Sequence, residues 1–209
     1  MAALLALTCA AAAACSSTPR SDDQALPHLG EFEAATDRDP SANTLYRMAR
    51  LLQVQHRDAE VLQLLRQIVE LHPEFFPAYG DLAELELRQE RAGDAIKTLT
   101  RGLEQFPHEP TLLNNLGMCW FAAGRHEQAL DCFTQAAAAS PHERRYRANL
   151  AAVLAMLGRY DEALYTYLQV LAPAAAHHNL AVLCEARGDV GRAQREHQLA
   201  DGRGDRPSD

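Results

Sequence analysis

The chain has 209 residues, 47% of them apolar and 23% charged, and a formal net charge of −8. That apolar share is enough to bury a core, which excludes an intrinsically disordered polypeptide. The acidic balance excludes a protein that follows nucleic-acid phosphate along a basic stripe, and with Lys97 as the sole lysine nearly all positive charge is arginine.

In chain order, residues Ala2 to Ala14, AALLALTCAAAAA, carry no charge and give way abruptly to CSSTPRSDDQ. A bilayer-spanning helix needs about 20 apolar residues. The shorter run suits the apolar region of a secretory signal that is removed from the mature protein. Its end, AAAC followed by SS, resembles the lipobox of bacterial lipoproteins, in which small residues precede a cysteine that receives lipid and becomes the mature N-terminus. The resemblance implies a signal peptide over residues 1–14 and membrane attachment through acyl chains on Cys15. With Ser16 next to the lipid site, it also implies an outer-membrane lipoprotein of the bacterial cell envelope facing the periplasm. Ordinary signal cleavage nearby, or an unprocessed N-terminal helix in a cytoplasmic protein, are the alternatives. Residues 15–41 contain Pro19, Pro27 and Pro40, many acids and few apolar residues, a composition expected of a flexible tether.

Beyond residue 41 the sequence becomes periodic. Val61, Ala95, Ala129 and Ala163 stand 34 residues apart, and Pro73, Pro107 and Pro141 repeat at the same interval. So do Met48, Leu82, Leu116 and Leu150, each followed at once by Ala49, Ala83, Gly117 and Ala151. Two amphipathic runs per period with a turn between them specify stacked helical hairpins. The small residues allow close helix approach, Trp120, Phe133, Tyr160 and Tyr167 fill the gaps, and Gly124 and Gly158 end first helices. The stretch NNLGMCWFAAGRHEQALDCFTQAAAASP resembles the tetratricopeptide repeat at nearly every signature position. The resemblance implies an all-α fold, a right-handed α-solenoid of about five repeats over residues 42–75, 76–109, 110–143, 144–173 and 174–207. The fourth is four residues short, so that Leu180, Ala181, Gly188 and Ala193 fall early. The last helix, VGRAQREHQLA, carries Arg192, Arg195, Glu196 and Gln198 and is expected to face water as a terminal cap. The tail, residues 203–209, is expected to be disordered, and its Arg-Gly-Asp reads as a chance occurrence.

No motif for catalysis is present: no phosphate-cradling loop, no G-x-S-x-G and no H-E-x-x-H. Cys119, Cys132 and Cys184 lack paired spacing and read as small buried hydrophobes, with a Cys119–Cys132 disulfide as the lesser alternative. His177 and His178 are sequence neighbours and point about 100° apart on a helix, which does not suit one metal ion. No cofactor or metal is expected.

The surface left for function is the concave groove, which in this family is lined by residues flanking the signature leucine. Immediately before it stand Arg47, Asp81, Asn115, Asn149 and Asn179, with Asn114 beside the third. An amide offers both donors and an acceptor, which suits the backbone of an extended peptide; support of neighbouring repeats is the competing account of the asparagines. One turn further lie Arg50, Glu84 and Met118, then Phe121 and Met156, so the groove passes from charged to apolar and amide-rich. The chain is expected to be a non-enzymatic adaptor that binds short peptide or helical segments of other proteins. It resembles repeat-bearing lipoproteins of pilus and secretin assembly, and less closely those delivering substrates to periplasmic enzymes; a soluble cytoplasmic scaffold is the alternative. The exposed ends of such an array also allow a homodimer.

Overall fold

The structure, a computed structural model, describes residues 40–202. The signal segment, Cys15, nearly all of the tether and the Arg-Gly-Asp tail lie outside the described residues. Ten helices follow one another with no strand among the described residues: α1 (Ala42–Val54), α2 (Asp58–Leu71), α3 (Phe76–Arg88), α4 (Ala92–Gln105), α5 (Pro110–Ala122), α6 (His126–Ala139), α7 (Arg144–Met156), α8 (Tyr160–Leu168), α9 (Pro173–Arg187) and α10 (Val190–Ala200). They form five hairpins. Each helix packs on the next in sequence, and the first helices also stack on one another, α3 on α5, α5 on α7 and α7 on α9. The fold is a tetratricopeptide-type α-solenoid.

Local chemistry starts and stops these helices. The Ser41 hydroxyl accepts from the Thr44 amide at 3.3 Å and opens α1. Pro110 and Pro173 occupy first-turn positions of α5 and α9, where a missing N–H costs nothing. Every hairpin reverses through one residue in the left-handed region: His56 (φ 57°), Glu90 (φ 61°), Gly124 (φ 71°), Gly158 (φ 82°) and Gly188 (φ 82°). The last three are the glycines that this conformation favours; His56 and Glu90 adopt it with a Cβ.

The core is a string of clusters. One joins α1 through α6, a second joins α7 through α10, and Phe133 with Ala129 and Val153 links them. Gly117 shows why the small residues recur: a Cβ there would come within 2.7 Å of the Phe133 ring. Tyr79, Phe133 and Tyr167 are fully buried. Cys119, Cys132 and Cys184 are buried free thiols. Burial pushes Cys119 up to about 12 and Cys132 up to about 11.

Two buried carboxylates depart from the repeat pattern. Glu86 in α3 is 2% exposed and accepts from Arg66 of α2 at 2.8 Å and from the Thr98 hydroxyl of α4 at 2.9 Å. Glu196 corrects the expectation that the last helix faces water throughout. It is 2% exposed, accepts from Arg192 Nε at 2.6 Å and lies 2.7 Å from His177 Nδ1. The reason is periodicity: Arg192 and Glu196 are four apart, so both fall on the side of α10 that meets α9.

The missing four residues of the fourth repeat come out of α8, which has 9 residues where α2, α4 and α6 each have 14. The connection after it keeps the length of the others, and α9 begins one residue earlier to compensate.

Candidate functional site

The groove is built by α1, α3, α5, α7 and α9. Side chains do not meet straight down the columns that the period defines. They meet on a diagonal, 35 residues apart. The Tyr46 hydroxyl donates to Asp81 Oδ2 at 2.7 Å, and Asn149 Nδ2 donates to Asn114 Oδ1 at 2.8 Å. The Thr111 and Tyr146 hydroxyls stand 3.3 Å apart with the same offset. Between the first two rungs the diagonal runs from Gly80 to Asn115, where glycine offers no side chain and a Cβ would lie 3.4 Å from Asn115 Nδ2.

This diagonal sorts the expected groove residues. Asn114 is 3% exposed, so it is a joint between repeats and not part of an open lining, which corrects its placement with the others. Asn149 is half-buried and commits one donor to that joint. Asn115 meets only a long contact from Asn114 Nδ2, 3.4 Å to its own Oδ1. Asn179 is half-buried and makes no side-chain hydrogen bond among the described residues. The asparagines therefore divide: Asn114 and Asn149 join repeats, while Asn115 and Asn179 keep amide capacity.

At the charged end Arg47 and Arg50 are exposed. Asp81 already serves Tyr46 and lies 3.6 Å from Arg50 Nη1. Burial, then the bond to Asp81, pushes the Tyr46 phenol up to about 12, and its ring meets Phe75 edge-on at 5.2 Å. This end is an internally satisfied cluster. At the other end Met118, Phe121 and Met156 are half-buried. Met118 and Phe121 pack against the Phe133 cluster, and Arg187 donates to the Met156 carbonyl and, at 3.2 Å, to the Tyr160 hydroxyl. The apolar floor is thus held from behind.

Sequence columns missed the rungs because the partner of each residue sits one place further on in the next repeat. Reading the tiles with a one-residue stagger would have paired Tyr46 with Asp81 and Asn114 with Asn149. His177 is taken by Glu196, and His178 stacks edge-on with His197 at 5.7 Å. No group of His, Cys, Asp or Glu among the described residues is arranged to hold a metal ion. No described helix is long and apolar enough to cross a membrane.

A staggered stack of hairpins with a trough lined by amide and apolar side chains defines a protein–protein interaction scaffold. Two tetratricopeptide-repeat profiles match the sequence, one at residues 108–172 and the other at residues 46–110 and 81–131. Together they span more than half of the chain, which belongs to the tetratricopeptide-repeat family. Scaffolds of this family are generally non-enzymatic. A search of curated proteins finds no match. Solved structures of the same fold include MamA, with 14% identity and a TM-score of 0.64 over 78% of this chain and 91% of that one. YrrB, described as a TPR protein with an unusual peptide-binding site, has 20% identity and a TM-score of 0.64 over 82% and 90%. TTC0263, a thermophilic TPR protein in Thermus thermophilus, has 19% identity and a TM-score of 0.56 over 78% and 91%. At these identities the likeness is one of fold.

Proposed function

We propose that this chain is an adaptor of the bacterial envelope, anchored by lipid on Cys15, that holds an extended segment of a partner protein in its groove and so brings that partner into an envelope assembly. Asn115 and Asn179 take the partner's backbone, while Met118, Phe121 and Met156 receive its apolar side chains. The observation that carries this reading is the unequal commitment of the amides: Asn114 and Asn149 bond each other across a joint between repeats, whereas Asn115 meets only a long contact from Asn114 and Asn179 makes no side-chain hydrogen bond among the described residues. An amide pair of that kind grips a peptide without reading its sequence.

Two measurements test it. A photo-crosslinking residue at Phe121 in the native host is expected to capture a partner, and Asn115→Ala with Asn179→Ala is expected to reduce that capture at least tenfold while thermal stability stays near the parent's. Unchanged capture by the double variant would reject the groove. Separately, Cys15→Ser is expected to move the protein from the membrane pellet to the soluble fraction; parent protein found soluble in the cytoplasm would reject the anchor.

A further inference from the structure

The outer face of α1 and the cleft between α6 and α8 are complementary in shape and charge. On α1, Met48 is 54% exposed, Leu51 61% and Val54 78%. Of the places equivalent to Met48 in later hairpins, Leu82, Leu116 and Leu180 are buried and Leu150 is half-buried, because a preceding hairpin covers each of them. At 3.6 residues per turn these three side chains share an arc of about 160° with Arg47 and Arg50, opposite the buried Leu45, Ala49 and Leu52. The result is an amphipathic helix whose apolar stripe has Arg47 between Leu51 and Val54 and Arg50 along one edge.

The cleft, about 770 Å³, opens on the side of the second helices, away from the groove. Leu130, Leu150 and Leu154 form its floor, and Asp131, Asp161 and Glu162 line its rim against one guanidinium, Arg159, which Glu162 holds at 2.6 Å. Two of the gaps between neighbouring second helices are tied, α2 to α4 by Glu86 through Arg66 and Thr98, and α8 to α10 by Arg192, which reaches Asp161 at 3.1 Å; α4 and α6 share no hydrogen bond or ion pair among the described residues. Among the described residues no hydrogen bond or ion pair joins α6 to α8. Thr134, Gln135, Tyr165 and Thr166 complete the walls, but the leucine floor offers backbone groups no partner, which suits an occupant that satisfies its own backbone, as a helix does.

We propose that α1 of one copy docks in the α6–α8 cleft of a second copy, with Met48, Leu51 and Val54 on the leucine floor and Arg47 and Arg50 against Asp131 and Asp161. The apolar stripe is about 9 Å long and α8 about 13 Å at 1.5 Å per residue, so the cleft spans it. Arg50 is exposed, donates to Gln53 at 3.0 Å and lies 3.6 Å from the half-buried Asp81, and the exposed Asp161 meets Arg192 at 3.1 Å; contacts between exposed side chains of this kind exchange readily for others. The two surfaces differ, so the contact either runs head-to-tail, adding copies into rings or chains, or is made twice across a two-fold, with the α1 of each copy in the cleft of the other.

Sedimentation velocity of the full chain at rising concentration tests this. The parent is expected to associate into dimers or larger assemblies. Leu51→Asp, with a damaged α1, and Asp131→Arg with Asp161→Arg, with a damaged cleft, are each expected to stay monomeric at tenfold higher concentration. All three positions are exposed, and circular dichroism checks folding; Met48→Asp and Gln135→Arg repeat the pair if either variant misfolds. Mixed in equal amounts, the two kinds of variant retain one good α1 and one good cleft between them and are expected to stop at a 1:1 dimer. A parent that remains monomeric, a single-surface variant that associates as the parent does, or a mixture that does not associate would each overturn the proposal.

Discussion

His56 and Glu90 occupy the same left-handed joint that glycine fills in the three later hairpins. A Cβ in that conformation costs roughly 1–2 kcal/mol, offset in part by the greater freedom that glycine gives the unfolded chain. His56→Gly and Glu90→Gly are each expected to raise unfolding free energy by about 1 kcal/mol in urea titration, and Gly124→Ala to lower it by at least as much. The buried thiols give a second residue-level expectation. The fold holds Cys119 at about 12 and Cys132 at about 11, above the ordinary 9.0, so the native state keeps protons that the unfolded chain releases. The contribution is complete below about pH 9 and is lost as pH climbs through about 11 and then about 12. The phenol of Tyr46, also raised by burial, acts in the same direction. Stability is expected to fall across this alkaline range, less steeply in a Cys119→Ala, Cys132→Ala variant; parallel stability profiles for parent and variant would contradict it.

Between elements, the ion pairs decide more than their number suggests. Glu86 stands in the column occupied by Leu52, Trp120 and Leu154, so an acid fills a place that packing alone would give to a hydrophobe. Arg66→Ala leaves that carboxylate buried with only the Thr98 hydroxyl, and a loss on the order of 3 kcal/mol is expected. Glu86→Leu removes the charge with its need for a partner and frees Arg66, already 41% exposed, into water. Its stability is expected to fall within about 1 kcal/mol of the parent, or above it. Chemical denaturation of both variants separates a stabilising pair from one that merely must not be broken. The hairpins themselves were legible in the sequence because helix burial recurs at fixed intervals, and Leu82, Ala95, Ala129 and Phe133 all fall where the period puts them. Glu86 and Glu196 were not, since nothing local marks an acid as buried when its cation lies on another helix. The Asn114–Asn149 rung escaped for a related reason: contacts between repeats follow the stagger of stacked helices, which a column of equivalent positions does not display.

For the molecule as a whole, stability is a sum over neighbours. The cluster spanning α1 to α6 and that spanning α7 to α10 meet through the residues around Phe133 and through Leu113, Ala136 and Tyr146, and where each hairpin contacts only its neighbours the two ends are expected to unfold separately. Trp120, the single tryptophan, packs within the first cluster and against the linking residues. Tyr167→Ala, a truncation of a fully buried ring, is expected to cost about 3–5 kcal/mol, as large aromatic truncations do. It should melt the C-terminal hairpins while Trp120 fluorescence still reports a folded environment. Coincident transitions by circular dichroism and fluorescence in that variant would show a single cooperative unit instead.

The shortened α8 bears on how such chains change length over generations. Five residues leave α8 and one is returned at the start of α9, a net loss of four that is close to one full turn and shifts the helical phase by only about 40°, and α9 keeps its oily side inward. Loss of two would swing it by about 200° and aim that side at water. Insertions and deletions inside these helices are therefore filtered by arithmetic: whole turns pass, half turns are purged, and drift in length proceeds by jumps.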